Sequence, residues 1–287
     1  MFAVVGTVPD DDFPVVRGAV SVGGDVLRVE GSGRIHEIPI NRGTAALLAA
    51  AFMVCRYFGE PAPEAFLVGD TGRGHGSRRL YQYLEETLPD CFYTSLTFHY
   101  IQPDVDWHNR VLFAVEEMKT RPVLIADAGF MYAAKMSGQA PAYDVFTPDM
   151  GELAFLADES APHPFYTRGF ILHENNRAPQ LIERAYGHDN AARYLLVKGA
   201  QDIIANRSGI LETVGKPATE ALEAIGGTGD IITGLLAGLT GIGWNIPDAC
   251  TASARISREA GRAANPDPGT QVSDIIRHIP EALDRLR

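Results

Sequence analysis

Short apolar runs and longer amphipathic segments alternate along most of this chain, and their order predicts the architecture. Phe66-Leu67-Val68-Gly69, residues 96–101, residues 122–127, Tyr143-Asp144-Val145-Phe146 and Tyr194-Leu195-Leu196-Val197 are apolar stretches of strand length. Between them, residues 78–88, 109–118 and 153–156 read as helices. Strand and helix in alternation mark a parallel sheet with helices on its faces. Residues 41–58 form the first helix in this reading, with Asn41 as its cap and strong helix formers from Ala45 to Ala51. Its apolar residues run nearly all round, which implies burial. Residues 247–264 and a final amphipathic segment capped by Ser273 complete the helices.

Residues 1–40 have a different texture. The β-branched runs 15–20 and 26–30 are punctuated by Asp10-Asp11-Asp12, Gly23-Gly24 and Gly31-Ser32-Gly33. That pattern predicts a peripheral hairpin or meander, serving as a lid, an edge of the main sheet or a contact in a homo-oligomer. The parallel sheet is then expected to begin near Phe66, within a single α/β domain spanning residues 41–287. A second hairpin is expected at residues 202–214, turning at Asn206-Arg207-Ser208-Gly209. Residues 158–190 are polar and irregular, and their histidines lack the one-turn spacing of a helical metal site. They read as a solvated loop joining a helix.

The net charge of -11 and the absence of a Lys/Arg cluster argue against nucleic acid or an anionic membrane as partner. Charged small molecules remain open. Cys55, Cys91 and Cys250 are few and far apart, with no C-x-x-C pair, so neither zinc nor a disulfide framework is suggested and a reducing cytoplasm fits. The first residues lack the basic and apolar regions of a signal peptide. The apolar run 44–55 is too short to span a bilayer.

The richest chemistry lies in Ala224-Ile225-Gly226-Gly227-Thr228-Gly229-Asp230, a glycine turn running straight into an apolar helix. Glycines allow positive φ and close approach, and unpaired amides at a helix start attract anions, usually phosphate. Asp230 stands at the same mouth, as a reactive acid or simply as a cap. Lys198-Gly199-Ala200 follows a buried strand, where a lysine faces either a phosphate or an internal salt bridge. Asp127 ends a strand, either facing the ligand crevice or capping the next helix. Asp149 and Glu152, three apart beside a helix start, either share hydrated Mg²⁺ or serve the helix dipole. The loop from Asp70 to Ser77, with Gly72 and Gly74, has the strand–glycine–helix layout of a cofactor turn, yet matches neither a P-loop nor a dinucleotide fingerprint. It is a flexible loop or a substrate contact.

Taken in order, these segments resemble the ribokinase-like superfamily, and within it the ATP/ADP-dependent NAD(P)H-hydrate dehydratases. The glycine motif resembles that family's anion hole, Leu195 to Gly199 its nucleotide motif, Thr147-Pro148-Asp149-Met150-Gly151-Glu152 its Thr-Pro-His-Pro-Gly-Glu loop, and Val123 to Ala128 the strand that normally ends in Asp-Ala-Asp. The closing Ser273 to Pro280 is also similar. Three departures stand out: Asp149-Met150 replace histidine and proline, Asp127 stands alone where two acids are usual, and His99-Tyr100-Ile101-Gln102-Pro103 replaces a glycine-rich turn. The resemblance implies a three-layer αβα fold with a mostly parallel central sheet and a small β-rich N-terminal extension. It implies ATP or ADP with Mg²⁺ as cofactors, and a small-molecule substrate that is NAD(P)H hydrate or another small alcohol. Asp230 would accept the substrate proton, with the amides from Gly227, Thr228 and Gly229 stabilising phosphoryl charge. Lys198, Gly199, Ala200, Gly226 and Gly229 would hold the nucleotide. Asp127, Asp149, Gly72, Gly74 and Asp230 would meet the substrate, and Glu152 with Asp149 would hold the metal through water.

Overall fold

In a computed structural model, residues 1–31, 33–160 and 178–286 are described. Ser32 of the expected turn and residues 161–177 of the expected loop lie outside them. The elements in chain order are β1 (Ala3–Val8), β2 (Val16–Gly23), β3 (Val26–Gly31), β4 (Arg34–Pro39), α1 (Thr44–Phe58), β5 (Glu64–Gly69), α2 (His75–Thr87) and β6 (Ser95–His99). They continue with α3 (Val105–Glu116), β7 (Val123–Ala126), α4 (Ala128–Met136), β8 (Val145–Phe146), α5 (Met150–Ala157), α6 (Ala178–Gly187) and β9 (Tyr194–Val197). The chain closes with β10 (Asp202–Asn206), β11 (Gly209–Val214), α7 (Thr228–Gly241), α8 (Ile246–Ala263), α9 (Val272–Ile276) and α10 (Ile279–Asp284).

One sheet joins all these strands in the order β11-β10-β9-β8-β7-β6-β1-β5-β2-β3-β4. The run from β9 to β5 is parallel, and antiparallel strands extend it on both sides. Alternate residues of each strand feed opposite faces. Val4, Leu67 and Leu196 join one apolar core with α1, α7 and α8, whereas Val5, Phe66, Val68 and Leu195 join the other with α2 to α6. Three layers follow from that alternation. Among the described residues no helix is long and apolar enough to cross a membrane.

Residues 1–40 are β-rich as expected, and β2 to β4 form an edge of the main sheet. The expectation that the whole segment is peripheral fails at β1, which lies between β5 and β6 in parallel register with both. The parallel sheet therefore begins at Ala3, not near Phe66. The helix caps also differ. Gly43, with φ 70°, precedes α1, so Asn41 does not cap it. Gln271, not Ser273, precedes α9, and the final helical segment is broken in two.

The first face is held by α1 lying against α7, and small residues set the distance between them. A Cβ on Gly234 would stand 2.2 Å from the Leu47 carbonyl oxygen and 2.9 Å from Ala50 Cβ. Backbone cannot yield as a flexible side chain does, so a methyl here forces the helices apart. Gly234→Ala is expected to destabilise the fold by about 1–3 kcal/mol, the usual cost of overpacking. Denaturant unfolding measures it, and an unchanged midpoint would show that α1 and α7 have slack between them.

Candidate active site

The parallel strands deliver a set of polar residues to their carboxyl edge, where α/β sheets bind ligands. His99 ends β6, Asp127 follows β7, Thr147 follows β8 and Lys198 follows β9. The first turn of α7 faces them. Between these elements lies a cavity of ≈ 650 Å³, lined by His99, Asp127, Lys198 and Asp230 among others. Asp149, Glu152, Gly199, Ala200, Gly227, Thr228 and Gly229 also line it; Gly226, Gly72 and Gly74 do not.

Gly227 makes the mouth of this cavity. It precedes α7 with φ 97°, a conformation that favours glycine, and no side chain caps the helix among the described residues. The first internal bond reaches Ile231 N–H from Gly227 C=O, so the amides of Thr228, Gly229 and Asp230 precede the helical ladder. Gly229 has no side chain, and Lys198 packs across it: a Cβ there would meet Lys198 Cδ at 3.6 Å. Amides, dipole and ammonium thus converge on one spot, an arrangement suited to an anion.

Lys198 is not a free cation. Its Nζ donates to Asp127 Oδ1 and Oδ2 at 3.0 and 2.8 Å. Asp127 also accepts from Thr233 Oγ1 at 2.6 Å and from the Ala128 amide at 2.8 Å, capping α4. Asp127 both caps α4 and lines the cavity, and Lys198 makes the internal salt bridge while lining the same cavity. Burial by itself would raise the Asp127 pKa, but Lys198, His99 and Thr233 outweigh it and hold the carboxyl below its usual range. Burial would likewise lower the Lys198 pKa, and Asp127 with Glu152 reverses that.

Asp230, in the first turn of α7, keeps 8 % of its surface exposed. Its Oδ2 accepts the Gly43 N–H at 2.6 Å, and its Oδ1 lies 3.1 Å from His99 Nε2. Sequence reasoning did not select His99. Its one signal was a polar residue at the end of an apolar strand, and a histidine there is ambiguous until its partners, Thr44 and Asp230, are brought to it.

Asp149 and Glu152 form a reciprocal cap on α5. Asp149 Oδ1 accepts the Glu152 N–H and Glu152 Oε2 accepts the Asp149 N–H, each at 2.8 Å. Glu152 Oε1 accepts Tyr132 O–H at 2.7 Å. Both Glu152 oxygens therefore accept bonds within the protein, and of the two readings for this pair the structure shows the cap. Burial, then the nearby Asp127 charge, pushes the Glu152 pKa up to about 7. Among the described residues no group of His, Cys, Asp and Glu forms a protein-only metal site. Mg²⁺ prefers one or two carboxylates plus water and phosphate, and Asp149, exposed on the cavity wall, is the acid here that fits that use.

Two further loops bear on the expected site, and only the first lines the cavity. Arg258 Nε donates to Asp202 Oδ2 at 2.8 Å and its guanidinium also donates to the carbonyls of Gly199 and Ala200. Asp202 Oδ1 accepts the Gly199 N–H at 3.1 Å, so this pair pins the Lys198-Gly199-Ala200 turn. The second loop corrects an expectation. The amides of Gly72, Arg73 and Gly74 all donate to Asp70 Oδ1, and Ser77 donates N–H and O–H to Oδ2. Burial would raise the Asp70 pKa, yet these bonds hold it low. The loop that resembles a phosphate turn is already filled by its own carboxylate, so Gly72 and Gly74 have no amide to offer a substrate.

Two outcomes test these electrostatics. Glu152 is neutral-favouring in the fold, so the stability it contributes is full below pH 4.5 and is lost as pH rises through about 7. Glu152→Gln, permanently neutral, should gain thermal stability relative to wild type across that window; a pH-independent difference between their melting temperatures would refute the raised pKa. Lys198→Met should destabilise the protein by about 3–5 kcal/mol, because it strands a buried carboxylate. Adding Asp127→Asn should recover part of that loss in the same denaturant titration, and no recovery would break the pairing argument.

Comparison with known proteins bears on the family and the fold. Residues 102–281 match the NAD(P)H-hydrate dehydratase family of carbohydrate-kinase type. An uncharacterized protein of Methanocaldococcus jannaschii is 37% identical over 239 residues, covering 83% of this chain and 98% of that protein. A bifunctional NAD(P)H-hydrate repair enzyme of Dictyoglomus turgidum is 24% identical over 92% of this chain, which spans 51% of that enzyme's length. The crystal structure of ADP/ATP-dependent NAD(P)H-hydrate dehydratase from Bacillus subtilis, co-crystallized with ATP/Mg²⁺, superposes with a TM-score of 0.59 at 14% identity, covering 100% of this chain and 90% of that one. The fold is ribokinase-like, and the chain belongs to the NAD(P)H-hydrate dehydratase family.

Proposed function

We propose that this protein is an ATP- or ADP-dependent phosphoryl-transfer enzyme that dehydrates NAD(P)H hydrate. The observation that carries the reading is Asp230: an acid in the first turn of α7, beside uncapped amides, opening on a cavity that Lys198 also lines. The nucleotide, when bound with Mg²⁺, supplies the phosphoryl group. Asp230 takes the proton of the substrate hydroxyl as its oxygen bonds to the terminal phosphorus, while the bond from that phosphorus to the bridging oxygen breaks and ADP leaves from ATP, or AMP from ADP. The amides of Thr228 and Gly229 stabilise charge on the phosphoryl oxygens. The phosphorylated hydrate then loses phosphate as its carbon–oxygen bond breaks and a neighbouring carbon gives up a proton, leaving the double bond of the nicotinamide. Lys198, Gly199 and Ala200 hold the nucleotide, and Asp149 faces its hydrated cation. Three buried, free cysteines suit a reducing cytoplasm.

A second reading has an observation behind it. His99 and Tyr100 line the cavity where the resembling family carries a glycine-rich turn. Two side chains in place of glycines reshape the acceptor's space, which favours a kinase of another small alcohol, such as a sugar or vitamin.

Turnover of labelled ATP and ADP with NADH hydrate and a sugar and vitamin panel separates the two. The hydrate is expected to be consumed; phosphorylation of panel alcohols with the hydrate untouched would give the kinase reading. Asp230→Asn is expected to keep the fold and lose about 10²–10⁴-fold in rate, the usual worth of a general base. Asn keeps the size and can accept the Gly43 amide, but is no base at neutral pH. Near-normal turnover by the folded variant would defeat the assignment.

A further inference from the structure

Asp230 is gripped from outside its own helix, and twice by the same short segment. Gly43 donates its amide to Oδ2, while Thr44, the next residue, reaches Oδ1 through an imidazole. Thr44 Oγ1 lies 3.1 Å from His99 Nδ1, and His99 Nε2 lies 3.1 Å from Asp230 Oδ1. The chemistry orients this chain of bonds. An ionised carboxylate only accepts, so Nε2 carries the proton. Thr44 Oγ1 stands at Nδ1 as the ring's second partner.

The fold makes deliberate room for the arrangement. Gly6 of β1 lies beneath it, and a Cβ there would stand 2.6 Å from both Thr44 Oγ1 and Thr44 Cγ2. His99 lines the cavity yet is fully buried, and both of its ring nitrogens are bonded within the protein. Its other polar neighbour is Asp127 Oδ2 at 4.0 Å, and the Tyr100 ring stands edge-on at 4.2 Å. An apolar ring would fill the same space without burying two ring nitrogens, so the histidine is accounted for by what it bonds.

We propose that His99 is a positioning residue for the reaction: backed by Thr44, it fixes the plane of the Asp230 carboxylate and turns its exposed edge toward the substrate hydroxyl. The proposal rests on Asp230 as proton acceptor. The last torsion of an aspartate is broad and roughly two-fold. The Gly43 amide alone holds one oxygen and leaves the other free to swing. The bond from His99 holds the second oxygen and removes that rotation. Misplacement of a reacting group by about 1 Å costs on the order of 10²-fold in rate.

Full-length wild type and His99→Phe, His99→Gln and Thr44→Val variants are assayed with ATP and NADH hydrate, each also combined with Asp230→Asn. His99→Phe keeps a ring in the space and removes both bonds; kcat is expected to fall about 10- to 100-fold with KM for ATP unchanged. His99→Gln can still donate to Asp230 and should recover most of the loss. In the Asp230→Asn background His99→Phe should add nothing, because no base remains to orient. Imidazole nitrogen chemical shifts of wild type should place a proton on His99 Nε2. A folded His99→Phe with wild-type kcat, a loss that glutamine does not recover, or an equal loss in the Asp230→Asn background overturns the positioning role while leaving Asp230 as base. An active Asp230→Asn overturns the base assignment and this proposal with it. Should His99→Phe not fold, the Thr44→Val variant and the nitrogen shifts decide: an unaltered kcat in Thr44→Val, or an Nε2 without a proton in wild type, overturns it.

Discussion

Asp127 is a charged group sunk at the centre of the sheet's carboxyl edge, with 2 % of its surface exposed. A carboxylate in that position costs several kcal/mol unless it is paired and hydrogen-bonded, and the structure meets the demand from three directions. Lys198 comes from the end of β9, Thr233 from α7 and the Ala128 amide from α4. Thr233 also bonds Thr147 after β8 at 3.0 Å. One buried charge therefore ties the helices on both faces to the strand ends between them. The pairing has an electrostatic corollary. Asp127 and Lys198 neutralise each other, so attraction for an anion falls largely to the amides at the start of α7 and only partly to the ammonium. The glycine turn is thus more than a permissive hinge: with Gly229 bare, the lysine side chain can lie beside those amides while its charge is spent on Asp127.

Much of this was legible in sequence, for a reason that also marks where legibility ends. Strands and helices were readable because an apolar run or a 3.6-residue period is a local property. The hairpin of β10 and β11 was readable because its turn lies between its strands. Sheet order is not local. Nothing in Ala3-Val4-Val5-Gly6 distinguishes a central strand from an edge, since its neighbours Ala65 and Thr97 are far along the chain. The site divides similarly. Asp230, Lys198 and Asp127 announced themselves by standing where apolar elements end. Asp149 and Glu152 stayed ambiguous because three-residue spacing serves a cap and a metal equally well, and only the hydrogen bonds decide. The Asp70 loop misled for a physical reason: a ring of amides built for an internal carboxylate has the same glycines as one built for phosphate.

His99 shows the complementary limit. A resemblance to a known family directs attention to residues that match its motifs, and His99 sits where the match breaks. Its meaning lies in Thr44 and Asp230, which are 55 and 131 positions away along the chain. Departures from a motif are read best after the partners of the departing residue are known.

The placement of β1 carries a consequence in time. The first strand of the chain cannot be paired on both sides until His99, the end of β6, has been made. Until then an apolar ribbon waits with open edges, the kind of long-range pairing that slows folding and exposes a chain to aggregation. The β2–β4 meander and β5 can form meanwhile and cover one edge of it. The N-terminal segment that looks detachable in sequence is, during synthesis, the half of the sheet that must keep its place for the other.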